Sequence, residues 1–158
     1  MFLTISNLYP RPDEPQRGLF NAQQFRALQQ ELAARDDQGG VVRNICLVPE
    51  WRVWKWRHIR KWQSPVCEGI QTQYVPVFYL PVIGRNLSAY FYSCALRRTI
   101  CAPQNSSIPE HQRSGTPFPQ ILATWLYPDC VAAAKAVGDA EVDLWFKVHG
   151  SDIYHLDN

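Results

Sequence analysis

The chain has 158 residues, 46% of them hydrophobic and 19% charged, and a net charge of +2. That composition excludes a disordered polymer and speaks against a dedicated nucleic-acid binder. One domain with a real core is expected, and no apolar run is long enough to span a bilayer. Cys46, Cys67, Cys94, Cys101 and Cys130 are odd in number and contain no CxxC spacing. They suggest reduced, mostly buried thiols rather than a disulfide framework or a zinc site. Met1 leads directly into a strand-like run with no visible leader, so a cytoplasmic location is expected.

Phe2–Ser6 reads as a first strand, buried on both faces. The loop Asn7–Gly18 follows, with Pro10, Pro12 and Pro15, and is long for a connection between strand and helix. Phe20, Phe25, Leu28 and Leu32 recur at near-helical spacing, which predicts a helix over Leu19–Arg35 with one apolar stripe. Asp36-Asp37-Gln38-Gly39-Gly40 ends it. Val41–Val48 is a second strand, closed by Pro49.

The stretch Trp51–Gln63 holds four of the six tryptophans (Trp51, Trp54, Trp56, Trp62) and five basic residues (Arg52, Lys55, Arg57, Arg60, Lys61), with no acid. It sorts onto one face neither as helix nor as strand, so a surface excursion is expected. Mixed tryptophans and cations suit the headgroup layer of an anionic membrane. They also suit stacking on sugars or bases, or a flap that packs on a further part of the protein.

Gly69–Val77 predicts a third strand, and Asn86 an N-cap for a helix from Leu87 to about Ile100. Ala102–Pro119 is a polar connection. Gln120–Trp125 is a fourth strand. Tyr127-Pro128-Asp129 turns into a helix Cys130–Val137 capped by Gly138. The β-branched and aromatic run Val142, Leu144, Trp145, Phe146 suits a buried parallel strand, ending in Lys147-Val148-His149-Gly150-Ser151-Asp152. Alternating strands and helices predict an α/β fold, a Rossmann-like three-layer sandwich with a mainly parallel sheet.

In such sheets ligands bind outside the carboxyl ends of the strands. His149, Ser151 and Asp152 belong to that edge, with Gly150 permitting close backbone approach. A serine hydrolase is disfavoured, because neighbours in sequence cannot form a nucleophile–base–orienter line and no GxSxG exists. His149, Asp152 and His155 make only a weak metal set. Gly18 could bring a helix N-terminus towards a phosphate, or simply open the helix. Asp129 could accept hydrogen bonds from a polyhydroxyl ligand, or favour its own helix through the macrodipole.

Three segments, in order, resemble the N-terminal domain of GT-B glycosyltransferases of the family 4-like group. They are Arg17-Gly18-Leu19-Phe20 with Gln23 and Ala27-Leu28, then Trp125-Leu126-Tyr127-Pro128-Asp129 with Val131-Ala132-Ala133-Ala134, then Val148-His149-Gly150-Ser151-Asp152-Ile153. The resemblance implies the acceptor-binding half of a retaining transferase that moves a sugar from a nucleotide sugar to a glycan or lipid-linked acceptor. It implies a catalytic role for His149 beside the transferred sugar. Substrate contacts would come from Arg17, Gly18, Trp125, Tyr127, Asp129, Gly150, Ser151 and Asp152. No metal or other cofactor is implied, the nucleotide sugar being a substrate shared with a C-terminal domain expected to lie outside residues 1–158.

The sequence departs from the family at Ala123-Thr124, where a His often stands, and at Cys130, where Gly is usual. Residues 1–158 alone are expected not to transfer sugar, and the Trp51–Trp62 segment to dock peripherally on the inner face of a membrane. Two other classes remain: a non-catalytic membrane- or carbohydrate-binding module derived from such an enzyme, and an unrelated Rossmann-like nucleotide binder. The last lacks a Gly-rich loop and the usual acid after the second strand.

Overall fold

The structure is a computed structural model that describes residues 2–35, 41–63, 70–79, 87–100 and 120–148. In chain order the elements are β1 (Phe2–Ser6), α1 (Leu19–Arg35), β2 (Val42–Pro49), α2 (Trp56–Ile59), β3 (Gln71–Val77), α3 (Ser88–Ile100), β4 (Gln120–Ala123), α4 (Val131–Val137) and β5 (Asp143–Phe146). A 3-10 turn, Val53–Lys55, leads into α2, and a π-helical turn, Leu126–Cys130, leads into α4.

All five strands are parallel, in the order β3-β2-β1-β4-β5. Register is fixed by pairs such as Ile5 with Ile45 and Ile5 with Ala123. Alternate residues along β2, β3 and β4 enter two different cores. Leu3, Ile5, Ile45, Leu47, Val77, Ile121 and Ala123 pack against Tyr92, Leu96 and Ile100 of α3 and Ala132, Ala133 and Ala136 of α4. Cys46, Val48 and Tyr74 pack on the other face, with Ala22 and Phe25 of α1, Ile59 of α2, and Tyr9. Each large apolar side chain so buried contributes roughly 1.5–3 kcal/mol. The result is the expected Rossmann-like three-layer α/β sandwich. Three alanines in α4 allow it to sit close to the sheet, because they present no bulk beyond Cβ.

The first helix and the fifth strand differ from expectation. α1 has the predicted bounds, but its buried residues are Asn21, Ala22 and Phe25, while Phe20 is 59% exposed. β5 is parallel as expected but not buried. Among the described residues it pairs with β4 alone and so forms the sheet edge, and Trp145 and Phe146 are 58% and 59% exposed. Aromatic composition identifies the strand but not its place in the sheet. Trp51–Gln63 is mostly exposed, but Ile59 is buried and Trp56 and Trp62 are half-buried. The Asn86 cap, the Asp36–Gly40 stop and the 102–119 connection lie outside the described residues.

Candidate functional site

β2 and β3 lie to one side of β1, and β4 and β5 to the other. The chain direction therefore switches between β1 and β4, and the crevice outside their carboxyl ends is where open α/β sheets bind ligands. Its floor is the turn that leaves β1, Ser6-Asn7-Leu8-Tyr9. The Ser6 hydroxyl is its hub. It donates to the Leu8 carbonyl at 2.8 Å and accepts from the Leu8 N–H at 3.1 Å and from the Thr124 hydroxyl at 2.9 Å. Asn21 of α1, itself buried, donates its amide to the Leu8 carbonyl at 2.9 Å. Tyr9 then stacks on Phe25, their ring centroids 5.8 Å apart.

Gly18 closes the loop at φ 68°, a conformation that costs glycine nothing. A Cβ there would lie 2.4 Å from the Leu8 carbonyl carbon and 2.6 Å from the Tyr9 nitrogen. The space a side chain would take is filled by the protein's own turn. Arg17 beside it pairs with Glu14 at 3.0 Å. That bond, more than any other influence, holds the Glu14 carboxyl below its ordinary range.

Asp129 has no exposed surface, and its Oδ2 accepts the Asn7 N–H at 2.9 Å. It acts as a strut between the π-helical turn and the β1 exit. Burial, with the Asp129 charge second, pushes the nearby Tyr92 hydroxyl up. Trp125 is half-buried and extended, and its carbonyl accepts the Cys130 N–H at 2.9 Å. Tyr127, partly exposed and joined to Pro128 by a cis peptide, hydrogen-bonds Ser88 through its hydroxyl at 3.1 Å. Gly18 and Asp129 thus meet on one turn. His149, Gly150, Ser151 and Asp152 lie outside the described residues. So do His155, Cys67 and Cys101. Among the described residues, no three His, Cys, Asp or Glu side chains are placed to hold a metal.

Two parts of this edge had no named role in the sequence, and a third brings together residues that the sequence did not join. Ser6, Asn7 and Thr124 carry no motif, and only their place after strands hints at them. Lys147, just past β5, donates to Gln24 of α1 and stands 4.5 Å from the Phe20 ring centroid, which explains that exposed phenyl. Burial lowers the Lys147 ammonium below its ordinary value.

The third part is a cavity of about 550 Å³ beyond the carboxyl end of β2, between residues 11–14 and 48–62. Its organiser is Glu50. The Glu50 N–H donates to the Val77 carbonyl at 2.9 Å, and its own carbonyl accepts the Trp56 indole N–H at 3.1 Å. Its carboxylate takes the Arg52 backbone N–H at 3.0 Å and the guanidinium at 2.8 and 3.0 Å. Those bonds keep the Glu50 carboxyl below its ordinary range. An acid immediately outside Trp51–Gln63 therefore answers Arg52.

Within that segment, Trp56 and Trp62 are half-buried, Trp62 packing edge-on to Tyr74 at 5.7 Å. Trp51 and Trp54 are exposed and meet each other edge-on at 5.9 Å. Lys55, Arg57, Arg60 and Lys61 are exposed as well. Among the described residues, no helix is long and apolar enough to cross a membrane. Comparison of the chain with protein-family models, with curated proteins and with solved structures finds no match in any of the three.

Proposed function

We propose that residues 1–158 form the acceptor-side half of a retaining glycosyltransferase, which moves a sugar from a nucleotide sugar to a glycan or lipid-linked acceptor. One observation carries the reading. Two of the three segments that resemble such enzymes, 111 positions apart at Gly18 and Asp129, converge on the turn that floors the switch-point crevice. A shared turn gives both segments a common purpose, which is to fix the backbone facing the ligand. Trp125 and Tyr127, from the same segment as Asp129, would contact the acceptor, and His149, after β5 in sequence, would be the catalytic group.

Departure of a nucleoside diphosphate requires its growing negative charge to be met by preorganised cations, usually the largest contribution to the rate. Here Arg17 is paired with Glu14 and Lys147 is bound to Gln24. Groups beyond residues 1–158 would supply that charge. The exposed Trp51, Arg57, Arg60 and Lys61, which do not line the cavity beyond β2, would rest on an anionic membrane, bringing a lipid-linked acceptor to the crevice.

The test is a turnover assay of the gene's whole reading frame and of residues 1–158 alone, against a panel of nucleotide sugars and lipid-linked acceptors. Transfer by the whole frame, lowered about a hundredfold or more by His149→Ala with folding intact, is expected. Residues 1–158 should bind donors weakly and form no product. Transfer by the short chain, or none by the whole frame with any donor, refutes the reading. Vesicle binding should strengthen with anionic lipid and weaken with salt.

A further inference from the structure

We infer that the cavity beyond β2 is a binding site for an uncharged saccharide, separate from the switch-point crevice. The inference goes beyond the transferase reading and stands on the cavity's lining alone. Its volume, about 550 Å³, lies within the roughly 300–1,000 Å³ of small-molecule sites and leaves room for more than one pyranose ring.

The charges on its wall decide what fits. Arg11, Arg52 and Lys55 are matched by Asp13, Glu14 and Glu50, with His58 besides. The guanidiniums are already committed. Arg11 reaches Glu14 at 2.6 Å and Asp13 at 3.4 Å, and Arg52 is held in a fork by Glu50. A phosphate would meet three carboxylates and two guanidiniums already paired with them, with Lys55 as the one ammonium on the wall, so an anion is disfavoured. A purely apolar ligand would strip water from those charges and return nothing.

A hydroxyl both donates and accepts, and it can add to an ion pair without breaking it. Ionised carboxylates beside guanidinium N–H groups therefore present the alternating acceptors and donors that a polyol satisfies. The remaining wall is apolar and aromatic: Val48, Pro49, Ile59, Trp54 and Trp62. Such surfaces suit the C–H faces of a sugar ring. The polar framework is also held in advance, since Arg11 is buried and Glu50 is tied by backbone and side chain to Val77, Trp56 and Arg52. Little ordering remains to be done on binding.

The test uses the purified chain with the methyl glycosides of glucose, galactose, mannose and N-acetylglucosamine, and inorganic phosphate as the anionic probe. Tryptophan fluorescence and saturation-transfer NMR read binding. At least one neutral glycoside should bind and quench, and phosphate should not compete. Trp54→Ala, at a position 69% exposed whose loss leaves the fold intact, should weaken binding about tenfold. Glu50→Gln should do the same, while Lys135→Ala, exposed on α4 and away from the cavity wall, should change nothing. Phosphate binding in place of sugars, no binding by any glycoside, or binding unaffected by Trp54→Ala would overturn the site. Glycoside binding here together with no transfer by the whole reading frame would keep this site and remove only the transferase reading.

Discussion

Gly18→Ala tests the packing on which the crevice floor rests. At φ 68° an L-residue meets a backbone cost of about 1–2 kcal/mol. The added methyl would also sit 2.4 Å from both the carbonyl carbon and the oxygen of Leu8. Those are backbone atoms of a turn held by Ser6, Asn21 and Asp129, so they cannot simply rotate away. Overpacking of this kind costs roughly 1–3 kcal/mol, giving a total of about 2–5 kcal/mol. For a domain whose stability is about 5–15 kcal/mol, that is a large fraction. Gly138→Ala is the control. Its φ of 58° is also strained, yet a Cβ there would meet nothing within 4 Å. Strain alone should cost it about 1–3 kcal/mol. Urea unfolding of the three proteins, followed by circular dichroism and extrapolated to water, measures the difference. If Gly18→Ala is no more destabilising than Gly138→Ala, the close approach to Leu8 and Tyr9 is not what requires the glycine.

Asp129→Ala should destabilise by about 1–3 kcal/mol or more, because the Asn7 N–H loses its acceptor in a buried setting, and Asp129→Asn should cost less. Equal losses in urea unfolding would deny the strut. Glu50, with its carboxyl lowered from the ordinary 4.5, stabilises the fold fully above that value and loses the contribution as pH falls through its lowered folded value. The stability difference between wild type and Glu50→Gln should therefore be present at neutral pH and vanish in acid; a constant difference would refute it. Burial pushes the Cys46 thiol up to about 12, so native-state alkylation followed by peptide mass spectrometry should label half-buried Cys94 well before Cys46. Matching rates in the folded protein would contradict that placement.

Most of the sheet was legible because its strands are short, largely apolar and separated by helical segments. Val42–Pro49 shows why: its residues enter two cores alternately, so nearly every position must be apolar or satisfied. Strand order was less legible. The Trp145-Phe146 pair reads as core, yet among the described residues its strand pairs with β4 alone and so lies at the edge. The Trp51–Gln63 stretch resisted sorting for a local reason. A 3-10 turn over Val53–Lys55 hands over to a four-residue helix, so no single period runs through it. Each tryptophan is then placed by a different partner: Trp56 by the Glu50 carbonyl, Trp62 by Tyr74, Trp51 and Trp54 by one another.

The contacts that Gly18 and Asp129 make were not legible in the sequence. A glycine ahead of α1 signals close approach, and the nearest candidate on chemical grounds is a phosphate. Distance gives another answer, because the approach is to Leu8 and Tyr9. An aspartate ahead of a helix suggests a cap or an exposed acceptor. Its bond instead spans 122 residues to Asn7, a separation that no local pattern encodes. The same holds for Ser6 and Thr124, 118 residues apart. These long-range bonds share a consequence. α1 acts through Gly18 and Asn21, the end of β4 through Thr124, and the π-helical turn through Asp129, all upon four residues after β1. A turn fixed from three directions has little freedom to follow a ligand, so its backbone groups must already be placed when a ligand arrives. At this edge Gly18 and Asp129 both meet the protein's own backbone, Gly18 at Leu8 and Tyr9 and Asp129 at Asn7.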